Sequence, residues 1–215
     1  MNYRIFDIET GPVSLDKLQD QMPEFKAPSN YKDEEKIAAY IEEQQSKWIE
    51  KAALDASTGR VMAIGVKDSN GNKIIKEEHF EGEREILQWF WDEVTDTHAD
   101  TTWVGFNSNS FDLPFLFRRS LIYQIQPGYS FRESRYWPAR FLDLLEVWAC
   151  GNREQRISLD KMAKLLGVGG KSGSGKMFAE LYSTDRKSAL EYLKHDLNLT
   201  EAVLKRMQLW ITNKN

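Results

Sequence analysis

The segment Tyr3 to Ile8 (YRIFDI) puts apolar side chains on both faces of an extended chain, because Ile5, Phe6 and Ile8 leave it no consistently polar side. Such a strand is stable only in the middle of a sheet that is covered on both faces, which points to an α/β architecture. Asp7 lies inside this run and Glu9 ends it. Burying a carboxylate without a compensating charge is expensive, so acids in such a strand call for a cation. Asp112 in GFNSNSFDLPFL and the pair Tyr192 and Asp196 in EYLKHD sit in comparably apolar surroundings. An all-oxygen donor set of this kind suits magnesium or manganese.

The spacing supports convergence. Residues two apart in a strand point to the same face, so Asp7 and Glu9 can reach one site while Ile8 points into the opposite layer. Tyr192 and Asp196 are four apart and stack on one face of a helix, in line with Leu199, Val203 and Met207, which are expected to face the protein. Each residue also has a plainer reading. Asp112 at a helix start can be a cap, Tyr192 a half-buried aromatic with a satisfied hydroxyl, and Asp7 and Glu9 a strand end facing solvent. Taken together and in this order, they favour a metal site.

Around these residues the sequence reads strand, insert, strand, strand, helix, strand. Pro12 to Tyr31 reads as an irregular excursion with prolines at 12, 23 and 28, followed by an amphipathic helix from about Asp33 to Leu54. On this helix Ile37, Ile41, Trp48 and Ala52 share a face that packs or forms a lid beside the substrate entrance. Arg60 to Lys67 and Lys73 to Phe80 form a hairpin about Asn70-Gly71. Helices are expected over Glu83–Val94, Phe111–Tyr123, Leu159–Leu166 and about Ser188–Ile211, a strand over Thr101–Phe106, and a short strand or helix start over Phe141–Val147.

With 215 residues and 41% hydrophobic content, the chain can bury a full core and is read as one domain, 1–215. Cys150 is the single cysteine, which excludes an intramolecular disulfide framework and fits a reducing compartment, so a cytoplasmic location is expected. No signal-peptide pattern opens the chain and no apolar run approaches the roughly 18 residues of a membrane span, so a soluble protein without a membrane partner is expected. A net charge of −4 argues against a protein that grips long stretches of nucleic-acid backbone, but not against one that holds a few terminal nucleotides.

FDIET, FNSNSFDLPFL and YLKHD resemble the three exonuclease motifs of the DEDD superfamily, and the spacing Tyr-x-x-x-Asp resembles its tyrosine-containing branch. FNSNSFDLPFL is especially similar to the proofreading domain of family-B DNA polymerases, and the resemblance runs from Tyr3 to about Lys205. It implies a ribonuclease H-like fold, a mixed five-stranded sheet flanked by helices, here with a helical insertion after the first strand. It also implies a 3′-5′ exonuclease in which Asp7, Glu9, Asp112 and Asp196 bind two divalent ions, Mg2+ or Mn2+, and Tyr192 positions the attacking water. By the same resemblance Thr10, Asn107 and Phe111 lie near the terminal nucleotide. The expected substrate is the 3′ end of nucleic acid, single-stranded DNA first and RNA as the alternative. Because the chain ends soon after the third motif, a free-standing exonuclease or a subunit that meets a protein partner is expected instead of a polymerase.

Two rival functions belong to other classes. A catalytically silent module that binds single-stranded nucleic acid would show a damaged acidic set, whereas all five motif residues are present. A P-loop nucleotide-binding protein would use Gly170 to Lys176 (GKSGSGK), but Met177 stands where serine or threonine should be and the segment follows a predicted helix instead of a strand. Lys171 and Lys176 can instead touch a nucleic-acid backbone. The histidines 79, 98 and 195 lack zinc-ligand spacing, and His195 reads as a solvated helix position. Of the seven tryptophans, most are expected in the core or a groove wall, and Trp137 belongs to a basic aromatic stretch, SFRESRYWPAR, with Arg132, Arg135 and Arg140, that could grip a strand.

Overall fold

The structure is a computed structural model that describes residues 2–127, 140–170 and 178–211. The five strands among them are β1 (Tyr3–Pro12), β2 (Gly59–Asp68), β3 (Lys73–Glu77), β4 (Thr102–Gly105) and β5 (Phe141–Asp143). They form one sheet in the order β3-β2-β1-β4-β5. β1 pairs antiparallel with β2 and parallel with β4, so it is the central strand that its two-sided apolar pattern requires. β2–β3 is antiparallel and β4–β5 parallel, which makes the sheet mixed, as the resemblance implies.

The helices in chain order are α1 (Leu15–Gln19), α2 (Glu34–Ala52), α3 (Glu78–Glu81), α4 (Glu83–Asp96), α5 (Asp112–Ile122), α6 (Leu144–Ala149), α7 (Leu159–Leu165), α8 (Phe178–Thr184) and α9 (Arg186–Ile211). They cover both faces of the sheet. Phe6 and Ile8 of β1 pack with Ile86, Leu87 and Phe90 of α4 and Leu113, Phe115 and Leu116 of α5. Phe6 is ringed by Phe90, Trp103 and Phe141 at 5.6, 6.1 and 6.1 Å between ring centres. Tyr3 and Ile5 point the other way, into a cluster with Val104, Leu145, Met162, Leu197, Val203 and Leu204. Strand alternation therefore sends Tyr3, Ile5, Asp7 and Glu9 towards α9 and Phe6 and Ile8 towards α4 and α5.

Several boundaries differ from the sequence reading. β1 continues past Glu9 to Pro12, with a register shift between Glu9 and Thr10, so Glu9 lies within the strand and not at its end. The excursion after Pro12 contains α1, anchored by the fully buried Leu18. β3 stops at Glu77, and α3 follows it directly to Glu81. α2 is capped by Asp33, whose carboxylate accepts the N–H groups of Glu35 and Lys36. Of its predicted apolar stripe only Ala52 is buried, while Ile37, Ile41 and Trp48 are half-buried. Trp91 and Trp103 are core residues, and their indole N–H groups donate to Ser120 and Thr97. No helix among the described residues is long and apolar enough to cross a membrane.

Candidate active site

Asp7, Glu9 and Asp196 converge. Each offers a carboxylate oxygen, and these oxygens all lie within 4.8 Å of one another. Glu9 and Asp196 are buried and Asp7 is half-buried. β1 supplies the first two from one face, and α9 supplies the third from the layer above that face. This close approach depends on Gly65, which pairs with Asp7 across β1 and β2. A Cβ at Gly65 would stand 2.8 Å from Leu197 Cδ1 and 3.1 Å from Leu193 Cγ, the side chains of α9 that flank Asp196. With glycine there, the helix settles without those leucines having to shift.

The stripe predicted on α9 faces inward throughout, with Tyr192, Asp196, Leu199, Val203 and Met207 all buried. Tyr192 packs with Met62, Phe178, Tyr182 and Leu193, and Phe178 and Tyr182 belong to α8, a helix that the sequence reading did not anticipate.

Asp112 stands outside the three-carboxylate convergence but touches its strand. It is buried at the start of α5, and its Oδ1 accepts the N–H of Ile8 at 3.2 Å, between Asp7 and Glu9. It is the first residue of α5, whose N-cap position is Phe111. Thr10 follows the β1 register shift and is half-buried. Asn107 and Phe111 lie on the turn between β4 and α5, and Phe111 packs partly against the core with its ring 5.6 Å from that of Phe115.

That turn is held by residues that the sequence reading passed over. Asn107 has φ 63°, a left-handed conformation that asparagine tolerates better than most residues. The buried Asp143 accepts the N–H groups of Asn107 and Asn109 at 2.9 and 3.0 Å, and that of Leu145 at the start of α6. Burial pushes the Asp143 carboxyl above the usual carboxylate range, although these three N–H groups act against the shift. Arg156 closes the turn from outside, with Nη2 donating to Asn107 Oδ1 at 3.0 Å and Ser110 Oγ at 2.7 Å. Asp143 carried a signal in the sequence, since FLDLLEVW sets an acid among apolar residues just as RIFDIET does. Gly65 and Arg156 carried none, because their roles depend on pairing and on a contact 49 residues away in the chain.

Other expectations shift as well. His195 is half-buried, with Nε2 3.0 Å from the carbonyl oxygen of Gly170, and is not a solvated helix position. Arg140 donates to the carbonyl oxygens of Thr97, His98 and Thr101, which ties β5 to the end of α4. The rest of SFRESRYWPAR, including Arg132, Arg135 and Trp137, lies outside the described residues, as do Lys171, Lys176 and Met177. The glycine-rich segment follows α7, so the strand that a P-loop requires is not there.

The three carboxylates fit a hard divalent ion in chemistry and in spacing, since such ions take oxygen ligands and bridge several acids. A family described as predicted 3′-5′ exonucleases related to the exonuclease domain of PolB matches residues 39–213. That stretch contains Asp112, Tyr192 and Asp196, while Asp7 and Glu9 precede it and are joined to it by the fold. No curated protein matches the chain. Among solved structures, the family B DNA polymerase from the hyperthermophilic archaeon Pyrobaculum calidifontis is similar over 97% of this chain, with a TM-score of 0.67 at 19% identity. The chain spans 24% of that polymerase, and the likeness concerns the ribonuclease H-like fold.

Proposed function

We propose, from the premise that this chain belongs to the predicted 3′-5′ exonucleases related to the exonuclease domain of PolB, that it hydrolyses phosphodiester bonds at the 3′ end of single-stranded DNA. The observation that carries this reading is the convergence of Asp7, Glu9 and Asp196 within 4.8 Å. Asp7, Glu9 and Asp196 would hold one divalent ion, Mg2+ or Mn2+. Asp112, fixed against β1 between Asp7 and Glu9, would contribute to a second. When bound, such ions lower the pKa of a coordinated water and stabilise charge on the departing oxygen.

The chain's own residues do the rest. Tyr192 orients the attacking water through its hydroxyl, which needs no ionisation because a phenol donates and accepts hydrogen bonds while neutral. Thr10, Asn107 and Phe111 receive the terminal nucleotide, with Phe111 offering a half-buried ring for base or sugar contact. The substrate end binds where the carboxyl ends of β1 and the parallel β4 and β5 meet, the edge at which open α/β sheets take ligands.

The test follows 5′-labelled single-stranded DNA and RNA with magnesium, with manganese and with chelator. The expected result is a ladder that shortens from the 3′ end only when metal is present. Asp7→Asn should slow it by roughly 10²–10³-fold, the usual cost of removing a preorganised electrostatic element. Cleavage that persists in chelator, or is unchanged in Asp7→Asn, would contradict the reading.

A further inference from the structure

The turn that carries Asn107 and Phe111 also holds a cation that the chemistry above leaves unused. Arg156 is half-buried and sits just before α7. Both of its described hydrogen bonds leave from a single nitrogen, Nη2, and both end on neutral oxygens, Asn107 Oδ1 and Ser110 Oγ. Among the described residues no carboxylate pairs with it, and Nε and Nη1 make no hydrogen bond there.

Other arginines of the fold are used differently. Arg119 gives Nε and Nη2 to Glu83 and Nη1 to the carbonyl oxygen of Ala56. Arg140 is spent on three carbonyl oxygens, and Arg186 is paired with Glu77. Arg156 is instead a positioned guanidinium that no carboxylate neutralises among the described residues. Two hydrogen bonds from Nη2 fix the plane, so the remaining donors point in a set direction. The turn that it braces is itself rigid, locked from beneath by Asp143 and by the left-handed Asn107. This turn runs directly into Asp112, whose carboxylate meets β1 between Asp7 and Glu9. A preorganised fork of donors suits a phosphate oxygen pair better than a lone ammonium does.

We infer that Arg156 grips a backbone phosphate of the single strand close to its 3′ end, and so steers that end past Asn107 towards the three carboxylates. The inference rests on the exonuclease reading above. It supplies a positive contact at the site of a chain whose net charge is −4. The rival account is that Arg156 only braces the turn.

Binding of a 5′-fluorescent oligodeoxythymidine separates the two accounts. The protein carries Asp7→Asn so that the strand stays intact, and anisotropy is read between roughly 50 and 200 mM salt. In this background Arg156→Gln should weaken binding roughly tenfold, as expected for one lost charge-assisted contact. It should also lower the slope of log Kd against log salt by about 0.7, the single-strand value for one phosphate. Arg156→Lys should keep the slope and lose part of the affinity, because it retains the charge without the fork.

A brace alone predicts that both variants keep the parent's slope and affinity, and that outcome overturns the inference. If Arg156→Gln does not fold, the lysine variant decides, since parental affinity in it excludes the fork contact. If the parent protein binds no strand and the unmodified protein shortens no 3′ end, the exonuclease reading fails and this inference with it. Shortening by the unmodified protein together with an unaltered slope removes the inference alone.

Discussion

Helix α9 buries two carboxylates five residues apart, Asp196 and Glu201, and the two are handled in opposite ways. Glu201 accepts from Lys67 Nζ at 2.6 Å and from Tyr3 Oη at 2.8 Å, and Lys205 lies 3.1 Å away one turn along the helix. Lys67 is braced in turn by Asn198. This end of the contact between α9 and the sheet is electrically self-contained. At the other end, Asp196 meets Asp7 and Glu9, three acidic side chains with oxygens within 4.8 Å of one another. A third buried acid, Glu83, follows the first pattern. It takes a two-pronged hydrogen bond from Arg119, the hydroxyl of Tyr123 and the N–H of Val61. Glu201 and Glu83 are matched by basic side chains, whereas Asp196 is gathered with two further acids, which on the proposed reading separates structural acids from chemical ones.

The comparison breaks most easily at Glu201. Glu201→Ala leaves Lys67 buried without its carboxylate and should cost about 3 kcal/mol of folding stability, read by denaturant unfolding, with the metal-dependent activity of the folded fraction retained. The same site fixes a pH signature. Burial alone would raise the Glu201 carboxyl, but hydrogen bonds from Lys67, Tyr3 and Lys205 outweigh it and hold it below the usual carboxylate range. A depressed carboxyl gives stability that is present above the ordinary value of about 4.3 and is lost as pH falls through the lower folded value. Tyr3 runs the other way, pushed up to about 12 by burial and by its hydrogen bond to Glu201. Its contribution is present below the ordinary value of about 10 and fades as pH rises through about 12. Unfolding followed against pH should therefore lose the acid limb in Glu201→Ala and keep a reduced alkaline one, because the burial of Tyr3 remains.

Gly65→Ala sharpens the comparison at the seam between the two ends. Its Cβ would force Leu197 and Leu193 outward and shift Asp196 away from Asp7. The expected result is roughly 10²-fold slower removal of 3′ nucleotides, because small misplacements of reacting groups are costly. The folding loss should be about 1–3 kcal/mol, the usual range for overpacking. Activity that survives intact would show that the close approach of α9 at Gly65 is not what places Asp196.

The smallest effect carries the most telling sign. In chelator, Asp196→Asn should stabilise the fold by roughly 1 kcal/mol by thermal unfolding, since on the proposed reading it removes one of three clustered acids from a site kept for chemistry and not for stability. Glu201→Gln should destabilise it under the same conditions. Two losses of the same sign would erase the distinction between the two ends of the helix.

Much of this arrangement was legible in the sequence because its logic is local. The two-sided apolar pattern of β1 fixed its central place, and strand and helix spacing put Asp7 with Glu9 and Tyr192 with Asp196. The legible part ended where a property depends on contacts far along the chain. Glu201 reads as an ordinary helical acid until Lys67, 134 residues earlier, is seen beside it. Asp112 reads as a helix cap, and nothing along the chain announces its contact with Ile8, 104 residues earlier. Gly65 carries no signal in the sequence, and the packing of α9 shows that a Cβ there would press on Leu197 and Leu193. α8 was not anticipated: it begins directly after the glycine-rich stretch that reads as a loop.

The most direct measurement is titration of Mn2+ into the protein, read by calorimetry and by the manganese resonance signal, for the unmodified chain, Asp196→Asn and Glu201→Gln. The unmodified chain and Glu201→Gln should bind the ion alike, whereas Asp196→Asn should lose most of the binding. Failure of the unmodified chain to bind, or equal binding in Asp196→Asn, would contradict the assignment of Asp7, Glu9 and Asp196 as a metal site.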